Sequence, residues 1–540
     1  MKIRNLISIL ILIAGIAPAN AQELFQKRVD YGWSSVSNAV IQLSDDGYVV
    51  GGFSYATNDS IESRVIPILS KFDSRGNVVW IKSVWTLGQI SSLAVAPDSG
   101  FVATGSVFTG TSYKVLISKF DNDGNAIWSF TVGGALESDG YSIVPTTDSG
   151  YIIGGLSLEP AGAYVIKVDR NGNVKWLESV RTSITSSDAQ GFGIVESSDG
   201  SYIIAANANV QGKGGIDITK LSPLGAVLWQ RLVTVKQFVQ GFGLTKTSDG
   251  GVVVCGQTQD FTKGNIDCYM AKLDKDGVFL WGTGIDCLGN ETPNAIVEDK
   301  GGDLIVLGSM TVTMRPKDVI VPVTDSLLLI RLSAEGALRS VRLLALPKAS
   351  SEGHALLQLA DSTFVVAGTT SREHPNRNAL LLAKLSKDLN TCNSRNILCI
   401  THTGGQIVDT GFSLLSGGQQ TVLQYPNPSD TSFSEMDLCT SATVESKIDT
   451  GNSDCIVVPN PASNATPFRI YTKNMSPGRY DIHLLDLLGN ILVRRSQLLS
   501  TENQEIVFDP LSIPEGMYIL EFRKDDASQV CYRTKVVLAK

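Results

Sequence analysis

A unit of about 50 residues recurs along most of this chain, a period that belongs to propellers and solenoids. One half of the unit is a turn followed by an apolar strand that ends in small residues. It runs Asp46-Gly47-Tyr48-Val49-Val50-Gly51-Gly52 and returns from Asp98, Asp148, Asp199 and Asp249, with weaker copies at 302–306 and 361–366. The other half runs from Lys71 to Trp80 and recurs at 119–128, 167–176, 220–229 and 272–281, with decayed copies at 331–336 and 384–388. Gly76, Gly124, Gly172, Gly225 and Gly277 mark its turn. Trp80, Trp128, Trp176, Trp229 and Trp281 close it, at separations of 48, 48, 53 and 52 residues.

Each part has a physical role. Asp bonds its own backbone and Gly accepts positive φ, so the Asp-x-x-Gly segments read as tight hairpin turns. Tyr-Ile-Ile and Val-Val-Val read as buried strands. The Trp reads as an apolar wedge between neighbouring units. A further strand, such as residues 191–196 or 241–244, lies before each Asp turn and makes four strands per unit, the content of a propeller blade. The expected fold is therefore all-β: a β-propeller of four-stranded blades followed by a small C-terminal β-sandwich. Residues 24–28 align with the Trp-bearing strand but have no unit before them. The expected closure uses them to complete the last blade, leaving no open sheet edge. Residues 411–423 read as the start of another blade, so the expected count is eight, with seven as the alternative if the segment after Cys399 packs outside the ring.

The repeat resembles the secreted propeller repeats of Bacteroidetes surface proteins. Residues 273–281, Leu-Asp-Lys-Asp-Gly-Val-Phe-Leu-Trp, are also similar to the quinoprotein-type propeller repeat, but with a turn one residue shorter and no adjacent Cys pair. That likeness implies shared architecture rather than redox chemistry. The last 86 residues, 455–540, differ in character from the repeat. Val458-Pro459-Asn460-Pro461-Ala462, the run from Tyr480 through Asp486 to Gly489 and Asn490, the segment holding Gly516 and Tyr518, and the terminal stretch around Lys535 resemble the type A sorting domain of type IX secretion. The resemblance implies the type IX secretion machinery as a partner, passage across the outer membrane, and cleavage in the polar linker 441–454.

The amino terminus fits such a route. Lys2 and Arg4 precede a short apolar run at 6–16, and Ala19-Asn20-Ala21 is an A-x-A cleavage site. The expected organisation is a signal peptide at 1–21, a propeller at 22–440, a linker at 441–454 and a sorting domain at 455–540, in a secreted or cell-surface protein with no membrane-spanning segment. The composition is 43% hydrophobic and 18% charged, which excludes a disordered chain. A net charge of −8 leaves no basic footprint for nucleic acid. Export would let the eight Cys form disulfides. Eight Cys allow 105 pairings, so the connectivity stays open, with Cys392–Cys399 as a candidate by proximity in sequence and Cys268–Cys287 and Cys439–Cys455 as further candidates.

The residues point to no particular chemistry. No C-x-x-C occurs, and the four His (His354, His374, His402, His483) lack metal spacing, so no zinc site is expected. Asp121-Asn122-Asp123-Gly124-Asn125 runs directly into a strand and reads as a hairpin turn rather than a calcium loop. No nucleophile elbow, metalloprotease helix or phosphate loop is present. The expectation is a non-enzymatic module that binds a protein, glycan or envelope component, with no cofactor and no metal. The irregular loops 311–325 and 371–378 are the candidate contact regions. The alternatives are a polysaccharide hydrolase or lyase with acids drawn from several blades, and a structural or assembly factor of the envelope.

Overall fold

A computed structural model describes residues 24–31, 34–57, 63–83, 87–159, 161–182, 190–210, 213–236, 238–259, 266–287, 289–311, 325–344, 349–372, 378–391, 394–397, 399–403, 406–409, 412–416, 419–422, 429–430, 434–437, 454–458, 462–463, 468–473, 478–485, 491–500, 505–508, 516–524 and 530–539. The expected signal peptide, and the expected linker up to residue 453, lie outside them. Every regular element among the described residues is a β-strand. No helix among them is long and apolar enough to cross a membrane. The chain divides into two compact units, Met1–Ala442 and Thr443–Lys540.

The first unit is a seven-bladed β-propeller. Blade 1 shows the plan with strands Ser34–Gln42, Tyr48–Thr57, Ser63–Phe72 and Val78–Ser83, all antiparallel neighbours. Blades 2 to 6 open with Gly88–Val95, Ser138–Pro145, Gln190–Glu196, Val239–Lys246 and Asn290–Glu298. Blade 7 consists of Ala349–Gln358, Phe364–Arg372 and Asn378–Leu385, completed by the amino-terminal strand Phe25–Asp30. Each first strand touches the first strands of both neighbouring blades, so these seven strands form the inner wall of the ring. The ring closes where Ser37 Oγ donates to Gly368 O and Asn378 N donates to Ser34 Oγ at 3.2 Å.

Residues 394–437 correct the count of eight blades. They add no blade but run round the outside of the ring. Ser394–Asn396 pairs with the fourth strand of blade 6, and Ile400–Thr403, Gln406–Asp409, Phe412–Ser416, Gln419–Val422 and Ser429–Asp430 pair with those of blades 5, 4, 3, 2 and 1. Ser434–Asp437 ends the circuit against Phe25–Asp30 of blade 7. A fourth strand exposes a row of unpaired backbone groups, and this belt covers all seven such edges.

The belt also accounts for the disulfide. Asp286 lies opposite Ile400 in the blade 5 register, which brings the next residue of one strand beside the preceding residue of the other. Cys287 is accordingly bonded to Cys399, 112 residues away. The candidate pairings of Cys268 with Cys287 and of Cys392 with Cys399 are therefore wrong. Proximity in sequence cannot anticipate a partner set by the reverse course of the belt. Cys255 and Cys268 are free, buried thiols. Cys439 and Cys392 lie outside the described residues.

The second unit contains two sheets. Asp454–Val458, Phe468–Lys473 and Glu505–Phe508 form one; Ala462–Ser463, Val530–Ala539, Gly516–Lys524, Gly478–Leu485 and Ile491–Leu499 form the other. Ile470, Tyr480, Ile482, Leu484, Ile506, Leu520 and Phe522 are buried.

Candidate functional site

Antiparallel blades put two kinds of connection at opposite ends of the strands. At one end lie the turns joining first to second and third to fourth strands. There the repeat residues build one ion pair per blade: Lys71–Asp45 (2.6 Å), Lys119–Asp98, Lys167–Asp148, Lys220–Asp199, Lys272–Asp249 (2.6 Å), Arg331–Asp299 (2.7 Å) and Lys384–Asp361. The blade 1 partner is Asp45, one residue before the Asp46 that opens the repeat motif there. Several cations also reach the next blade: Lys71 Nζ donates to Asn122 O, Lys220 Nζ to Lys275 O and Arg331 Nη2 to Lys387 O. The third-to-fourth turn is self-contained. Asp121 Oδ1 accepts from the backbone N–H groups of Asp123 and Asn125, so this carboxylate is used by its own hairpin.

The repeat Trp and Gly residues meet across blade joints at the same end. A Cβ on Gly124, Gly225 or Gly277 would fall 2.6, 3.2 or 3.1 Å from Trp80, Trp176 or Trp229 of the preceding blade. On Gly172 it would meet Phe130 at 2.6 Å and Trp128 at 3.3 Å. Gly336 meets Trp281 in the same way, and Gly76 meets Phe25, which occupies the Trp position of blade 7. At the joint between blades 6 and 7 the bulk changes sides: Ser340 stands opposite Arg331, where Trp281 stands opposite Lys272. Leu389 occupies the Gly position with φ of 62° and packs into the core there. These residues hold the ring together.

The inner wall is different. Each first strand carries one β-bulge at the same place, and the extra residues are Asn38, Ser91, Tyr141, Phe192, Phe242, Asn294 and His354. All seven are partly exposed. A bulge re-aims a side chain and is over-represented beside active sites. Asn38 Nδ2 donates to Ile90 O and Asn294 Nδ2 to Gly353 O at 2.7 Å, each on the next blade. Phe192 lies against Gly241 of the next blade. Aromatic residues occupy the bulge in blades 3, 4 and 5. Amide and hydroxyl groups follow them, with Gln257 Nε2 donating to Gln240 Oε1 and Thr292 Oγ1 to Gln257 Oε1. Two carboxylates stand on this wall just before the bulge: Asp139 and Glu352, each pushed above the usual carboxylate range by burial. His354 donates to or accepts from Thr369 Oγ1 at 3.1 Å, and burial lowers its pKa to about 4, so its imidazole is neutral at pH 7.

At the other end of the strands, Asp267, Asp286 and Glu291 converge at the joint of blades 5 and 6. Their nearest oxygens lie within 4.8 Å of one another and all three residues are buried. Burial raises the Glu291 pKa to about 7, against the backbone N–H groups of Cys287 and Gly289 that favour its charge. The neighbouring thiols are pushed up by burial too, Cys255 to about 12, so they are neutral and unreactive. Sequence reading missed this cluster because its members come from three strands of two blades.

The residues expected in the sorting domain fall on and between the strands of the second unit. Pro459, Asn460 and Pro461 lie outside the described residues, between a strand of one sheet and a strand of the other. Asp486, Gly489 and Asn490 also lie outside them, between the paired strands Gly478–Leu485 and Ile491–Leu499. Gly516 and Tyr518 are in Gly516–Lys524, and Lys535 pairs with Ile519. His483 sits beside buried Glu521, whose carboxylate pairs with Arg523 at 2.9 Å. The loop residues 312–324 and 373–377, and His374, lie outside the described residues.

No protein-family model and no curated protein matches the chain. Solved structures match it at low identity. The extracellular domain of BT3049 from B. thetaiotaomicron is 8% identical, with a TM-score of 0.29, over 93% of this chain and 68% of that one. The alpha-L-arabinanase of Penicillium chrysogenum is 11% identical, with a TM-score of 0.35, over 67% of this chain and 98% of that one. The polysaccharide lyase Uly1 is 10% identical, with a TM-score of 0.31, over 65% of this chain and 90% of that one.

Proposed function

We propose that this chain is an exported cell-surface propeller of the Bacteroidetes type, carried by its C-terminal unit through type IX secretion, and that the propeller is a non-enzymatic binding module for a glycan. The ring of seven bulges carries the binding reading. It gives the inner wall seven partly exposed residues of mixed chemistry on a rigid frame. Tyr141 and Phe242 offer apolar rings on blades 3 and 5, and Gln240, Gln257 and Thr292 offer donors and acceptors on blades 5 and 6. A sugar ring presents the complementary surface, with C–H groups on its faces and hydroxyls round its rim. Replacing Tyr141 and Phe242 together by Ala should weaken glycan binding at least tenfold without unfolding the ring. Unchanged affinity would move the binding surface elsewhere.

The export reading rests on the ordered motifs of residues 455–540 and on the amino-terminal A-x-A segment. Deleting 455–540 in the native host should trap the propeller in the periplasm. Surface delivery of the truncated chain would refute this reading.

A further inference from the structure

We propose that Asp267, Asp286 and Glu291 bind a divalent cation of the calcium class at the joint of blades 5 and 6. Asp267 opens the third strand of blade 5, Asp286 ends its fourth, and Glu291 begins the first strand of blade 6. Glu291 is 0% exposed. Its Oε1 accepts from Gly289 N at 2.9 Å, whereas its Oε2, equally buried, meets no donor. A buried carboxylate oxygen without a donor carries an uncompensated desolvation cost, and two more acids beside it increase that cost. A bound cation removes both penalties.

The repeat supplies an internal control. Asp267 stands five residues before the ion-pair cation of its blade. The same position holds Ile66, Lys114, Gly162, Gly215, Ser326 and Ala379 in the other blades. Glu291 stands two residues before the residue that precedes the bulge, where the described counterparts are Ser35, Gly88, Ser138, Val239 and Ser351. Asp286 has one acidic counterpart, Asp30. It faces Ala379, has Ser35 in place of the glutamate, and takes Arg28 as its partner at 3.2 Å. Among the described residues, three acids meet at one joint alone. Neither the turns nor the packing of the repeat calls for them there.

The donor set fixes the class of ion. Three carboxylates are hard oxygen ligands, which favour a hard divalent cation over a soft metal. Oxygens within 4.8 Å of one another can share one ion at Ca–O distances of about 2.3–2.6 Å, and a buried, all-carboxylate site suits Ca2+ better than Mg2+, which keeps several waters. The ion would clamp the end of blade 5 to the start of blade 6, next to the Cys287–Cys399 bond that staples the belt.

The full-length protein, stripped with EDTA, is titrated with CaCl2 by calorimetry and by thermal unfolding. One ion per chain should bind with a Kd below about 1 mM, Mg2+ should bind at least tenfold more weakly, and Tm should rise with Ca2+. Glu291→Gln and Asp267→Asn should each weaken Ca2+ binding at least tenfold, whereas Asp30→Asn should leave it unchanged. A folded wild-type chain that takes up no Ca2+ would overturn the proposal whatever the variants do. So would binding undiminished in both triad variants, and Mg2+ binding as tightly as Ca2+ would overturn the choice of ion.

Discussion

Each of six blade joints is fixed by a glycine at positive φ with an aromatic ring lying on it. Gly124, at φ 75°, has Trp80 where a Cβ would be, whereas Gly110, at φ 95°, has nothing within 4 Å. Gly124→Ala should therefore cost about 2–4 kcal/mol from backbone strain plus overlap, and Gly110→Ala about 1 kcal/mol from strain alone. In a Trp80→Ala background the cost of Gly124→Ala should drop toward the Gly110→Ala value, and equal costs in both backgrounds would deny the contact. Asp217 makes a second residue-scale case. It is buried in blade 4, accepts from Thr219 Oγ1 and Gln230 Nε2, and burial raises its pKa to about 7. The folded state thus holds a proton that the unfolded state releases near pH 4. Stability should fall between about pH 4 and pH 7 by on the order of 4 kcal/mol from this group, and stay level above. Asp217→Asn should flatten that fall, as read from urea midpoints across the range. The Trp and Gly positions are legible in the sequence because five copies repeat them. The Ser340 and Leu389 exchange is not, because each half reads as decay until the two are seen to share a joint. The acidic triad is not legible either, because no short-range spacing links its members.

At the scale of elements, the ring of ion pairs ties the first-to-second turn of each blade to its third strand. Bonds from Ser201 and then Lys220 help hold the Asp199 pKa to about 2, and bonds from Lys272 and Thr247 do the same for Asp249 against the opposing effect of burial. Depressed carboxylates stabilise the fold above the unfolded pKa near 4 and stop doing so as pH falls through about 2. The propeller should lose stability steadily across that interval. Replacing Asp199 and Asp249 by Asn should lower stability at pH 7 and shrink the acid-dependent loss; an unchanged acid profile would show that other groups govern it. The blade strands are legible because apolar runs of β-formers sit between Asp and Gly turns. The inner bulges are not, since a single extra residue leaves no mark on so short a strand. Nor are the belt strands, which are two to five residues long and give periodicity nothing to act on.

At the scale of the molecule, closure is achieved twice. The amino-terminal strand completes blade 7, and the belt then passes blades 6 to 1 in reverse before reaching that same strand. The first closure is legible from the Trp-like placement of Phe25. The second is not, because a short apolar run such as 411–423 reads equally as a new blade. The disulfide anchors the belt near its start and encloses a long loop, for which chain entropy implies about 5 kcal/mol. Cys399→Ser should lower stability by roughly that amount, and hydrogen exchange should show Ile400–Thr403 losing protection first. Uniform loss round the ring would contradict a local anchor. The seven blades so fixed carry the bulged inner wall on which the functional account depends. The most direct measurement of that account is a binding screen of the full chain against glycans and cell-envelope fractions, with product analysis of each hit. The account predicts a glycan bound and recovered intact, with binding reduced by Tyr141→Ala and Phe242→Ala. Cleavage of the bound glycan would contradict it and assign the chemistry to carboxylates of the inner wall, beginning with Asp139 and Glu352.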